Sequence, residues 1–182
     1  MLNAERHMRG LVMSLPIVVA LAAPAASGQL LPPPGDGDIR AVYWELRNQS
    51  EVFLTLEPKS AKGAAAPLLT FTCHFAGRRP ATAPTQIEVR TYAGAFWAPR
   101  AELWFLLDDA QRVDLGTTSA GLISGTPSDY ISNVITIGTF KEMLARRITG
   151  VALGFEFELR ESQRRALGTF LERILSDNPL RK

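Results

Sequence analysis

The stretch LLTFTCHFA, residues 68–76, decides the fold class because its side chains alternate with a period of two. Alternation of this kind is typical of a β-strand with one buried face. In such a strand Phe71, Cys73 and Phe75 share one face, and His74 points to the opposite one. The pattern therefore predicts that the only cysteine of the chain faces the core and that its histidine neighbour faces away from it.

The same alternation recurs along most of the chain and predicts a mainly antiparallel β protein. Loops that contain proline, glycine or short polar residues separate the runs, as expected for many short antiparallel strands. Such a pattern is typical of a sandwich or a strongly bent sheet. The other predicted strands cover residues 41–47, 52–57, 86–93, 101–107, 111–116, about 133–137, and 149–160.

Two helices are predicted near the C-terminus. TFKE (139–142) has the form of a capping box, which predicts a short helix through about residue 146. A second helix is predicted over about residues 161–176, where one apolar stripe follows the helical period. The stripe consists of Leu167, Phe170, Leu171, Ile174 and Leu175. The predicted fold class is therefore α+β, mainly antiparallel β (sandwich or strongly bent sheet) with two C-terminal helices packed on it.

The N-terminal residues have the composition of a secretory signal peptide. Arg6 and Arg9 precede the apolar run LVMSLPIVVALAA (11–23), and small residues follow it. As a helix this run would span about 20 Å, less than the roughly 30 Å of a bilayer core. We therefore expect an exported protein, periplasmic or extracellular, without stable membrane insertion after cleavage. Sixteen arginines against four lysines favour a GC-rich bacterial source.

These observations divide the chain into four parts. Residues 1–28 are predicted to be the signal peptide and residues 29–38 a Pro/Gly linker. Residues 39–177 are predicted to form one β-rich domain, and residues 178–182 a tail. The formal net charge of +2 does not indicate a nucleic-acid partner, and a single cysteine cannot form an internal disulfide.

The residues that most enzymes use are scarce in this sequence. Cys73 and His74 are adjacent on a strand, so they cannot face each other as a nucleophile and its base. GLISG (121–125) lacks the spacing of a nucleophile elbow, and the chain has no phosphate-binding or dinucleotide-binding motif. The sequence thus predicts no catalytic residue, no metal site and no cofactor.

Paired acids keep one enzymatic alternative open. Asp108 and Asp109 lie in a predicted turn, and Glu156 and Glu158 share one strand face about 7 Å apart. Such spacing suits a hydrolase that acts on envelope saccharides through two carboxylates. Exposed carboxylates without a cleft are nevertheless more often simply solvated.

Aromatic residues suggest a contact surface instead. Trp44 and Trp104 lie in predicted strands and are expected in the core, whereas Phe96, Trp97 and Arg100 lie in a loop and form a tentative contact patch. The leading prediction is a non-catalytic binding or structural module of the bacterial cell envelope, with a protein or glycan partner. A third alternative is a subunit of a larger envelope assembly, docked by its last helix.

Overall fold

The structure is a computed structural model that describes residues 35–60, 67–93, 102–117, 119–123 and 126–181. All of these residues belong to one compact unit, Pro32–Lys182. The elements in chain order are β1 Ile39–Trp44, a 3₁₀ turn Glu45–Arg47, β2 Gln49–Leu56, β3 Lys59–Ser60, β4 Leu68–Ala76, β5 Gln86–Ala93, β6 Glu102–Leu107, β7 Gln111–Thr117, β8 Ser119–Ile123, β9 Thr126–Thr136, α1 Ile137–Leu144, β10 Ile148–Ala152, β11 Phe155–Glu158 and α2 Glu161–Ile174.

The described strands form two antiparallel sheets. The first sheet has the order β1-β2-β4-β5-β9-β8, and the second has the order β3-β11-β10-β6-β7. Every described pairing in both sheets is antiparallel. The predicted fold class, a mainly antiparallel α+β sandwich with two helices packed on it, is confirmed.

The core lies between the two sheets, as the alternation of residues 68–76 predicts. Phe71 and Cys73 of β4 are fully buried, and so is Phe105 of β6. The rings of Phe71 and Phe105 stack with their centroids 6.4 Å apart, which joins one sheet to the other. His74 points to the opposite face of β4 with 37% of its side chain exposed. The predicted opposition of Cys73 and His74 is therefore confirmed.

Both helices pack into the same core. Phe140 of α1 lies 5.7 Å from Phe71 and 6.0 Å from Phe170 of α2, measured between ring centroids. Leu167, Phe170 and Ile174 of the predicted stripe are fully buried within the domain. No helix in the described residues is both long and apolar enough to cross a membrane.

Two predicted boundaries near the C-terminus are wrong. The cap of α1 is Thr136, whose Oγ1 accepts a hydrogen bond from the Thr139 backbone N–H (3.0 Å), so the helix begins before the predicted box at 139–142. The single strand predicted over 149–160 is the hairpin β10–β11. Its turn contains Leu153 and Gly154, both with positive φ (51° and 80°). Gly154 is the turn signal in the sequence, whereas Leu153 gives none because leucine rarely adopts positive φ.

The two tryptophans expected in the core lie outside it. Trp44 faces away from the core and is 46% exposed. Trp104 is half-buried on the outer face of β6, where the Arg112 guanidinium lies 4.6 Å from its ring centroid. The neighbouring Leu103 and Phe105 occupy the core positions of β6. Alternation therefore places Trp104 outward despite its hydrophobicity.

A strand was not expected at residues 121–125, where GLISG predicts a flexible crossing between sheets. Residues Gly121–Ile123 instead belong to β8, which pairs with β9 at the edge of the first sheet. Glycine and serine have low strand propensity, so the pairing with β9 overrides the local preference.

Residues 35–38, part of the predicted linker, are bound to the domain. The Gly37 N–H donates to the Thr55 carbonyl (2.8 Å). Asp36 accepts from the Glu57 backbone N–H and from Nε2 of Gln163, each at 2.8 Å. Gln163 is almost completely buried at the start of α2. This polar cluster joins the segment before β1 to the end of β2 and to α2.

Candidate functional site

The face of the first sheet that points away from the core, here called the outer face, carries a polar centre. The strand register places Glu51 of β2 beside His74 of β4, and Glu88 of β5 diagonally across from His74. On the other side of β5, Ser132 of β9 stands opposite Arg90. Four strands therefore contribute to one cluster of ionisable and hydroxyl groups.

His74 lies at the middle of this cluster, between two carboxylates. Its Nε2 is 2.9 Å from Oε2 of Glu88, and its Nδ1 is 3.4 Å from Oε1 of Glu51. Nε2 of Gln49 lies 3.1 Å from the same Nδ1. The hydrogen bond to Glu88, together with the charges of Glu51 and Glu88, raises the pKa of His74 above its usual value, although partial burial opposes the shift.

Glu88 is held in the ionised state by its neighbours. His74 is its strongest partner, and Glu88 also accepts hydrogen bonds from the Ser132 hydroxyl and from Nη2 of Arg90 (2.6 Å). These donors lower the pKa of Glu88 to about 2, with the His74 hydrogen bond as the largest cause and partial burial working against it. The carboxylate is therefore fixed both in charge and in position.

A shallow, open depression of about 330 Å³ lies over this cluster, here called the His74 depression. Its volume is at the lower end of the range of small-molecule sites, roughly 300–1,000 Å³. Within the described residues, the polar ends of Thr72 and Gln86 have no hydrogen-bond partner. Val134 adds an apolar surface that is 48% exposed. The lining residues are Thr72, His74, Gln86, Glu88, Ser132, Asn133 and Val134.

The hydrogen bonds of this cluster do not join a serine hydroxyl to a base. A serine nucleophile needs a base beside its hydroxyl, and that base works best with a pKa near the operating pH. The Ser132 hydroxyl donates to Glu88, not to His74, and Glu88 with a pKa of about 2 is a weak base. The hydrogen bonds instead fix His74, Glu88 and Ser132 in position. The polar groups of Thr72 and Gln86 are not used by any other described residue.

Cys73 lies behind this face and takes no part in it. Burial raises the pKa of its thiol to about 11, so the thiol stays protonated and unreactive at neutral pH. Among the described residues, no three side chains of His, Cys, Asp or Glu are grouped so that they could hold a metal ion.

The predicted contact patch of Phe96, Trp97 and Arg100 lies outside the described residues, between Ala93 and Glu102. It therefore stays a prediction. The His74 depression is lined by other residues.

Three of the four predicted paired acids contact one arginine, whereas the fourth, Glu156, is exposed. Arg147 donates through Nε to Glu158 (2.8 Å) and through Nη1 to Asp109 (3.0 Å), while Asp108 accepts from the Arg147 backbone N–H (3.0 Å). The hydrogen bond from Arg147 lowers the pKa of Glu158. A glycosidase acid needs a raised pKa, so this exposed cluster gives no support to carboxylate catalysis.

Sequence reasoning did not find the partners of His74. Glu51, Glu88 and Ser132 are separated by 37 and 44 residues along the chain, and only the register of β2, β4, β5 and β9 brings them together. The available signal is that each is a polar residue on the outward side of an alternating strand.

Comparison with protein-family models, with curated proteins and with solved structures finds no match to this chain. The chemistry of the outer face is accordingly taken from its own groups. These are a fixed carboxylate, an imidazole with a raised pKa, free amide and hydroxyl groups, and one exposed aliphatic side chain.

Proposed function

We propose that this chain is an exported bacterial protein that acts as a non-catalytic binding module of the cell envelope. The composition of residues 1–28 supports export. The His74 depression supports binding, because it lies on a sheet face where several polar groups converge without a nucleophile and base in contact.

The observation that carries this proposal is the fixed Glu88 carboxylate beside free donors and acceptors. A ligand that meets an already ordered surface loses less entropy on binding than one that must order it. The free groups of Thr72 and Gln86 can pair with hydroxyl groups, and Val134 can pack against C–H groups. A small saccharide presents both kinds of group, so we take an envelope saccharide as the ligand class.

The two alternatives have less support. The acids proposed for a hydrolase are exposed, and all of them except Glu156 are hydrogen-bonded to Arg147. The stripe proposed to dock α2 on another subunit is largely buried against this domain, with Leu167, Phe170 and Ile174 inaccessible.

Calorimetric titration with fragments of envelope saccharides tests the proposal. We expect Gln86→Ala to weaken binding about tenfold, since it removes an exposed amide that contacts the ligand while leaving the fold intact. Intact mass of protein recovered after export checks removal of the first residues.

Glu172→Gln is the matched control, because Glu172 is an exposed residue of α2 and should leave affinity unchanged. Trp97→Ala tests the other predicted patch. If no fragment binds, or if Trp97→Ala abolishes binding while Gln86→Ala does not, the His74 depression is not the ligand site.

A further inference from the structure

One end of the first sheet presents large apolar side chains to solvent. Between β1 and β2 the chain forms the 3₁₀ turn Glu45–Arg47, and Leu46 within it is fully exposed (102%). Trp44, just before the turn, is 46% exposed. Residues 44–48, together with residues 77–79 beside them, are here called the Trp44–Leu46 tip.

The tip is rigidly braced although its apolar side chains are free. Asn48 ends the turn in the left-handed conformation (φ 46°), and its N–H donates to the Glu45 carbonyl (3.1 Å). The Tyr43 hydroxyl donates to Oδ1 of Asn48 (2.8 Å), and the Gly77 N–H donates to the Asn48 carbonyl (2.7 Å). Leu46 is therefore held in an exposed position by a hydrogen-bonded turn.

The tip is also basic. Arg78 lies 4.3 Å from the centroid of the Tyr43 ring and pairs with Glu45 (3.0 Å), which is thereby neutralised. Arg47 and Arg79 are exposed, and neither has an ion-pair partner in the part of the chain that the structure describes. Arg47 is the next residue after the exposed leucine and Arg79 follows Arg78, and neither is neutralised by another described residue.

We propose that the Trp44–Leu46 tip docks on an anionic lipid surface. Tryptophan favours the interface between headgroups and acyl chains, where its ring is buried and its N–H stays wet. Arginines near an anionic leaflet are attracted to its headgroups. The contact is peripheral, because only the side chains of Trp44 and Leu46 enter the interface.

This docking is separate from the proposed ligand site, and neither depends on the other. The tip lies at the end of the sheet where β1 and β2 join, whereas the His74 depression is lined by β4, β5 and β9. A module held at a membrane by one end would keep its outer face open to envelope ligands.

Co-sedimentation with vesicles of phosphatidylglycerol and phosphatidylethanolamine, compared with phosphatidylcholine vesicles, tests the proposal. We expect binding only to the anionic vesicles, weakening as salt is raised because exposed charges are screened. Leu46→Ser should reduce the apparent affinity about tenfold through lost apolar burial. Exchange of Arg47 and Arg79 for serine should reduce it about fivefold for each charge.

Leu175→Ser is the matched control, because Leu175 is a 40% exposed leucine at the end of α2 and belongs neither to the tip nor to the proposed ligand site. It should leave vesicle binding unchanged. Wild type and variants carry the same N-terminal residues, so any contribution from those residues is common to all of them. The same thermal midpoint in every variant shows that each one is folded.

Three results would overturn the proposal. They are absence of binding to the anionic vesicles, equal binding to phosphatidylcholine, and binding that survives Leu46→Ser.

Discussion

His74 owes its electrostatic setting to two carboxylates that come from different strands. Glu88 binds its Nε2 and Glu51 approaches its Nδ1, while Arg90 on the far side of Glu88 opposes its protonation. Gln49 adds a neutral partner at Nδ1. The attraction of the two carboxylates prevails over partial burial and over Arg90, so the protonated imidazole is favoured in the folded protein.

This arrangement predicts a pH-dependent stability. The pKa of His74 is higher in the folded chain than in the unfolded one, so the stabilisation is complete below about pH 6.5 and is lost as pH rises through the folded pKa. We expect the free energy of unfolding of wild type to exceed that of His74→Asn more at pH 5.5 than at pH 9. Urea titrations at both values measure this difference.

Glu88 gives the opposite sign in a lower range. Its pKa of about 2 lies below the ordinary value, so its contribution is present above about pH 4.5 and is lost as pH falls towards 2. Between pH 4.5 and 2, the free energy of unfolding of wild type should therefore fall more than that of Glu88→Gln, which lacks the ionisable group. An advantage of wild type over His74→Asn that does not change with pH would contradict the described network.

At the scale of single residues, the sequence was sufficient where one period decided the outcome. The inward direction of the Cys73 side chain and the outward direction of the His74 side chain follow from alternation alone. Trp44 and Trp104 were misplaced because hydrophobicity was given more weight than the position each holds in its strand. The contacts of His74 depend on strand register, which is a long-range property that no local pattern encodes.

At the scale of elements, the hairpin β10–β11 depends on one glycine in β10. A Cβ atom at Gly150 would lie 2.4 Å from the Trp104 carbonyl oxygen and 2.8 Å from the Phe157 ring. Gly168, in the middle of α2, has no atom within 4 Å of the same position. The two glycines therefore have opposite roles. Gly150 allows close packing of β10, whereas Gly168 only weakens the helix propensity of α2.

Alanine substitution at these two glycines should have opposite effects. Gly150→Ala is expected to lower the free energy of unfolding by about 3 kcal/mol, because the added methyl forces β6 and β10 apart. Gly168→Ala is expected to raise it by about 0.5–1 kcal/mol through better helix propensity. Urea denaturation of both variants measures the changes, and an equal effect at the two sites would contradict the packing described here.

Element positions were largely predictable, and the misses have local physical causes. Long alternating runs such as residues 68–76 and 86–93 coincide with β4 and β5. The break at Leu153 was missed because leucine rarely adopts positive φ and the single Gly154 beside it was given less weight than the alternation on either side. The start of α1 was missed because Thr136 and Thr139 offer similar caps, and both lie in one short segment.

At the scale of the whole molecule, phenylalanine rings connect all the layers. Centroid distances of 5.7–6.4 Å link Phe157 and Phe105 in the second sheet to Phe71 in the first, and then to Phe140 in α1 and Phe170 in α2. Aromatic pairs at such distances attract each other beyond the effect of area burial. Phe71 contacts both Phe105 of the second sheet and Phe140 of α1, so it lies at the centre of this chain of rings.

Phe71→Leu should therefore destabilise the domain as one unit. We expect a loss of about 1–2 kcal/mol from the cavity left by the ring. Unfolding followed by near-UV circular dichroism and by tryptophan fluorescence should still give coincident transitions. Val134→Ala, at an exposed site, is the control and should change little. Two separated transitions would show that the sheets unfold independently.

The strand order was beyond the sequence, although the fold class was not. β2 pairs with β4 rather than with its chain neighbour β3, and β9 lies between β5 and β8. Sequential hairpins follow from turn signals, but such non-local pairings depend on which faces complete the core. The described sandwich therefore confirms the class and adds the topology.

The burial of Cys73 bears on how copies of this protein that unfold would behave in an oxidising solution. In the folded chain the Cys73 thiol is buried, so it does not meet oxidants or other thiols in solution. A copy that unfolds exposes one thiol, and because the chain has no second cysteine, that thiol can form a disulfide only with another molecule. Disulfide-linked species joined through Cys73 would accumulate only from chains that have unfolded. Their amount would therefore report how often the sandwich unfolds.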